Sequence, residues 1–209
     1  VKKLDSHSNI NTERDTPKTI MLIDARERRR RLLAQALEGS GYQLVFVSET
    51  AEHLSVLAQR YIPDVIVIGV SGPDSTTLAN LSALNETRPA PVVVFAEEDT
   101  PQVIQKTIKT GVCAYIVDDI QQQRMNSIIT VAYLRFIEQQ KVKEQLLKSQ
   151  DALANRIVLE KAKGLLMAQR DISEQQAFAM IRKMSMDKGQ PISKVATDII
   201  DLLTLIAAD

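Results

Sequence analysis

From Thr19 onward, short apolar runs alternate with segments of helical periodicity, and this alternation restricts the possible folds more than any other feature of the chain. The runs TIMLID, QLVFVS, DVIVIGV, PVVVFAEE and CAYIVDD are separated by ERRRRLLAQALEGSGY, by a segment through His53 to Tyr61, by one near Leu78 to Asn85 and by one from Pro101 to Thr110; a further helix begins near Ile120. Five strand–helix repeats of this kind predict an α/β fold: a five-stranded, doubly wound parallel sheet with right-handed crossovers and helices on both faces. Val65 to Ile68, opened by Pro63-Asp64 and closed by a Gly/Ser/Pro cluster, reads as a strand buried on both sides. Gly39, Gly41 and Gly111 follow helical segments, where C-terminal caps favour glycine. The strand that starts at Val65 delivers Gly69 to its carboxyl end, the edge where open α/β sheets place their chemistry.

Net charge selects no class of partner, because 26 Lys and Arg balance 26 Asp and Glu, so any electrostatic argument has to be local. The single cysteine, Cys113, excludes an internal disulfide, and the lack of a long apolar span points to a cytoplasmic protein with no membrane segment. Residues 1–17 are polar and patternless and read as a mobile tail, with Val1 suggesting that the natural start lies upstream. His7 and His53 are isolated from metal-ligand partners, and no Gly-rich phosphate loop or Ser/His/Asp arrangement is evident. The expectation is no metal, no cofactor and no catalysis. The run Arg28 to Arg31 precedes Leu32, Leu33, Ala36 and Leu37 and reads as a solvated helical face.

Between Ile120 and Arg170 there is no proline, and no glycine other than Gly164, which predicts one long helix. Within it Val142, Leu146, Leu153 and Ile157 form an apolar seam, interrupted by Ser149 and Gln150, that suits a homodimeric coiled coil over a linker at 137–155. Beyond Arg170, Ser173 and Gln176 make a capping box that opens a helix with Ala177, Phe178, Ile181 and Met184 on its apolar side, and Gly189-Gln190-Pro191 stops it. Ser193 opens a last helix whose expected buried face is Val195, Ala196, Ile199, Leu202, Leu203 and Ile206. These three helices make a small all-α domain at 156–209, its first helix continuous with the linker.

This stretch is locally basic: Arg156, Lys161, Lys163, Arg170, Arg182, Lys183, Lys188 and Lys194 stand against Glu160, Asp171, Glu174 and Asp187. Arg156, Lys163 and Arg170 recur every seven residues and so lie nearly on one line along a helix, able to meet backbone phosphates. Charge alone favours a solvated face with Glu160 bridged to Arg156. Phe178 is the only aromatic past Phe136, and its spacing places it in the core.

The segments IMLID, PDVIVIGV, PVVVFAE and TGVCAYIVDD resemble, over 18–136, the receiver domain of bacterial two-component response regulators. That resemblance implies acids after the first strand that hold magnesium, a phosphoacceptor aspartate ending the third strand, a hydroxyl ending the fourth and a lysine ending the fifth. Here Asp24 keeps one acid, Ala25 replaces its neighbour, Gly69 stands at the phosphoacceptor position, Ala96 replaces the hydroxyl and Asp118 the lysine. The resemblance is thus to a degenerate receiver that takes no phosphate; Asp74, beyond Gly72-Pro73, reads as a turn or cap residue. The run RIVLEKAKGLLMAQRDISEQQAFAMIRKMSMDKGQPISKVATDII resembles the ANTAR domain, an RNA-binding antitermination module. Together the parts resemble the antiterminators of amidase and nitrate-assimilation operons, most closely the NasT-like branch. The resemblance implies leader mRNA as partner, a homodimer, RNA contacts from Arg156, Lys161, Lys163, Arg170, Arg182 and Lys183, and a separate nitrate/nitrite-sensing protein as controller. A DNA-binding regulator is the alternative suggested by PISKVATDII, although Asp198 and Asp201 speak against a basic recognition helix. A protein-interaction adaptor is the third reading.

Overall fold

The computed structural model describes residues 17–98, 100–117 and 120–206, with Leu205 and Ile206 described by their backbone alone. The expectations for the tail, for His7, for Asp118 and for the side chain of Ile206 therefore lie outside the described residues. The chain separates into two compact units, Val1–Gln140 and Lys141–Asp209.

In the first unit the strands are β1 (Thr19–Asp24), β2 (Gln43–Ser48), β3 (Val65–Val70), β4 (Val92–Ala96) and β5 (Ala114–Val117). The helices between them are α1 (Glu27–Glu38), α2 (Leu54–Tyr61), α3 (Ser75–Thr87) and α4 (Pro101–Lys109). All strand pairs are parallel, in the order β2-β1-β3-β4-β5. The apolar runs look continuous in sequence, yet alternate residues serve opposite faces, as the pleat requires. Ile20, Leu22, Val65, Val67, Val93 and Phe95 pack against α1 and the start of the helix that follows β5 through Leu33, Leu37, Met125 and Ile129. Met21, Ile23, Ile66, Ile68, Val92 and Val94 pack against α2 and α3 through Leu54, Ala58, Leu81 and Leu84. Each large apolar side chain fully buried in this way contributes about 1.5–3 kcal/mol before the entropy of ordering is set against it. Gly111 is obligatory in its turn: its φ is +96°, and a Cβ there would lie 2.6 Å from Asn85 Cγ.

The helix expected from Ile120 is α5 (Gln122–Arg170), unbroken over 49 residues. It is followed by α6 (Glu174–Lys188) and α7 (Ile192–Ile206). Ala162 and Leu166 of α5, Ala177 and Ile181 of α6, and Val195, Ala196 and Ile199 of α7 form the core of the second unit. The capping box is present: Gln176 N–H donates to Ser173 Oγ at 3.3 Å, and Ser173 N–H donates to Gln176 Oε1 at 2.9 Å. Gly189, at φ 59°, closes α6 in the left-handed region. Among the described residues, no helix is long and apolar enough to cross a membrane.

Candidate functional site

The strand order reverses between β1 and β3, and Asp24 and Gly69 are register partners at the carboxyl ends of these two strands. Asp24 is completely buried. Its Oδ1 accepts from Arg26 N–H at 2.8 Å and from Arg29 Nη2 at 3.0 Å, and its Oδ2 accepts from Arg29 Nε at 2.6 Å. Arg29 Nη1 also donates to Glu97 Oε1 at 2.9 Å, and Arg26 reaches the same carboxylate. Arg30 donates to the Asp24 carbonyl at 2.7 Å and to Glu49 at 2.9 Å. The arginine run is therefore not one solvated face. Arg28 and Arg31 are exposed, but the side chains of Arg29 and Arg30 are only 12% and 16% exposed, drawn to the sheet edge by buried carboxylate and carbonyl oxygens. Ala96 closes β4 with 3% exposure, and Tyr115 hydroxyl donates to the Glu98 carbonyl at 2.9 Å. Asp74 is the N-cap of α3, accepting from Thr77 N–H at 2.7 Å, and this bonding to Thr77 holds its carboxyl below the usual range.

The second unit carries the basic residues. Arg156, Lys161, Arg170, Arg182 and Lys183 are exposed. Lys163 departs from the expected line: it is only 7% exposed, and its ammonium donates to Glu174 at 2.6 Å and pairs with Glu160 at 2.9 Å. The chain turns at Asp171, whose φ of 50° is left-handed, and the first residue of α6, Glu174, meets the ammonium of Lys163. Bonding to Glu174 and then to Glu160 raises the Lys163 pKa, and Lys163 in turn lowers that of Glu174. Glu160 thus pairs with Lys163, where the plainer sequence reading had paired it with Arg156. The seam residues Val142, Leu146, Leu153 and Ile157 are all 57–62% exposed.

The ANTAR domain family matches residues 148–200. The transcriptional regulatory protein PdtaR of Mycobacterium tuberculosis is 25% identical over 90% of this chain and 91% of its own length. The chain carries an ANTAR domain. The nitrate regulatory protein of Klebsiella oxytoca is 38% identical over 32% of this chain and 17% of its own length. The aliphatic amidase regulator of Pseudomonas aeruginosa is 21% identical over 70% of this chain and 67% of its own length. Among solved structures, the signal receiver domain of a diguanylate cyclase from Desulfovibrio desulfuricans superposes with a TM-score of 0.52 at 14% identity, covering 59% of this chain and 98% of that one. The likeness shows the fold: the first unit is receiver-like.

Within the ANTAR domain the AKGLLM motif divides by function. Ala162 and Leu166 enter the core, whereas Gly164 is exposed and a Cβ added to it would meet nothing within 4 Å. Two expectations for the core fail: Phe178 is 39% exposed and Leu202 58% exposed. Phe178 follows the fully buried Ala177, and a step of one residue turns about 100° around the helix, enough to leave the buried side. Sequence reasoning missed the Asp24–Arg29–Glu97 cluster because Arg29 and Glu97 are 68 residues apart and carry no local signature.

Proposed function

We propose that this ANTAR regulator is an RNA-binding antiterminator whose dimer holds paired stem-loops of a nascent leader transcript and so keeps a terminator hairpin from forming. The observation that carries the reading is the set of exposed cations Arg156, Lys161, Arg182 and Lys183, whose side chains make no ion pair or hydrogen bond among the described residues, together with Arg170, whose guanidinium has only Met180 Sδ at 3.9 Å. Cations without internal counter-ions are free to replace the counter-ions of a phosphate backbone. Lys163 positions α6 through Glu174 and does not meet RNA. The exposed seam on α5 supplies the dimer contact, so that the parts are a receiver-like domain at 18–136, a coiled-coil linker at 137–155 and the RNA-binding domain at 156–209. The first unit acts without phosphorylation and is controlled in the cytoplasm by a partner protein that senses nitrate or nitrite.

The reading as a DNA-binding regulator is weaker because Lys194 on α7 is tied to Asp198 at 2.7 Å, which leaves that helix no free basic face. The test is binding of a leader RNA with two stem-loops, over a salt series, against duplex DNA of the same sequence. RNA is expected to be preferred, and R182A/K183A to flatten the slope of log affinity against log salt by about 1 to 2. Equal affinity for the duplex would favour the DNA reading, and no binding to either would favour the adaptor.

A further inference from the structure

Receivers of this fold are expected to hold a divalent cation on the acids at the end of the first strand, and the residues present here do not fit one. Both Asp24 carboxylate oxygens accept from Arg29 in a bidentate pair, and Oδ1 also takes the N–H of Arg26. The acid that would neighbour Asp24 is Ala25. Glu97, the next carboxylate at this edge, is bridged to Asp24 by the same guanidinium. A hard dication needs oxygen ligands with open lone pairs, and it would have to displace a fork of donors matched to the carboxylate plane.

We infer that Arg29 is the resident counter-ion of this site, an internal cation in place of a divalent metal, and that Gly69 is present because the pair fills the space a side chain would need. A Cβ on Gly69 would lie 1.9 Å from Asp24 Oδ2 and 3.1 Å from Arg29 Nε. Loss of the phosphoacceptor and gain of the guanidinium are thus one change seen from two sides: an aspartate at 69 would put a second carboxylate and its Cβ into the volume of the first. The pair ties β1 to α1, and through Glu97 to the segment after β4, so the edge that a receiver rearranges on phosphorylation is held in one arrangement without metal. This inference does not depend on RNA binding and is tested without it.

The test uses the full chain and thermal unfolding followed by the near-ultraviolet signal of tyrosine, because Tyr42, Tyr61, Tyr115 and Tyr133 all lie in the first unit. About 10 mM magnesium chloride, compared with sodium chloride of equal ionic strength, should leave the midpoint unmoved to within about 1 °C, since a ligand that does not bind the native state does not stabilise it. R29A should lower the midpoint by roughly 10 °C or more, because it leaves Asp24 buried and uncompensated, and magnesium should now raise it by bridging Asp24 and Glu97. D24N/R29M, which removes both charges, should recover much of the loss and should not respond to magnesium. A magnesium-dependent rise in the unaltered protein, or an R29A midpoint equal to it, would overturn the assignment. If R29A does not fold, recovery of the tyrosine signal in D24N/R29M supports the counter-ion role, and an equally unfolded double variant refutes it.

Discussion

Two glycines are used in opposite ways. Gly69 is dictated by what a side chain would strike, whereas Gly164 stands on an exposed helix interior with nothing near its missing Cβ. Glycine in a helix costs about 0.5–1 kcal/mol relative to alanine, so G164A should stabilise the second unit by that amount in urea unfolding followed by far-ultraviolet circular dichroism. A loss of stability would mean that another chain packs closely on that backbone. The Lys163–Glu174 pair gives a pH signature of definite sign. The pKa of Glu174 is lowered, so its contribution is present above the unfolded carboxylate value, about 4.3, and is lost as pH falls through its lower folded value. The pKa of Lys163 is raised, so its contribution is present below about 10.4 and is lost as pH rises through its higher folded value. Between those limits the pair should add no slope to the pH dependence. E174Q should therefore destabilise the protein at neutral pH and differ progressively less from the parent below about pH 4 in acid titrations of unfolding.

On α5, the exposed seam repeats every eleven residues: Val142 is followed by Leu153 and Gly164, and Leu146 by Ile157 and Ala168. Eleven residues in three turns is close to the natural pitch of the helix, so the stripe runs nearly straight along it. A straight apolar stripe exposed at 57–62% on each of its four large residues is the surface we assign to the dimer. L146Q/L153Q should sediment as a monomer that binds one stem-loop almost normally but loses roughly a hundredfold or more in affinity for paired stem-loops, because the second contact is no longer intramolecular. A monomer with undiminished affinity for the paired RNA would reduce α5 to a spacer.

At the scale of the whole molecule, a receiver-like sheet with Gly69 near the end of β3 is joined by a continuous helix to an ANTAR domain. Incubation with acetyl phosphate or a histidine kinase should add no phosphoryl mass to residues 17–140 in intact-protein and peptide mass spectrometry, since Gly69 offers no carboxylate and Asp74 is engaged as a helix cap. A stable acyl phosphate on that unit would refute the phosphorylation-independent reading. On the proposed reading, input arrives as a binding event that changes the population of RNA-competent protein.

The periodicity of short apolar runs, the absence of proline through α5 and the Ser173–Gln176 box are local signals. They determined the element order, the five-stranded parallel sheet and the three C-terminal helices, because backbone hydrogen bonding and capping depend on residues a few positions apart. The place of Gly69 near the carboxyl end of β3 was legible for the same reason, since a strand end is a local position. What only the tertiary structure decided is where each charge and each marginal apolar side chain points. Two of four consecutive arginines turn inward because Asp24 is buried at the sheet edge, and Lys163 leaves the basic line because Glu174 meets its ammonium. Phe178 faces outward although its neighbour Ala177 is buried. The charged outcomes depend on partners brought together across a turn or at the sheet edge, and at Arg29 the attraction of the buried Asp24 carboxylate outweighs the pattern that a helical wheel alone would suggest.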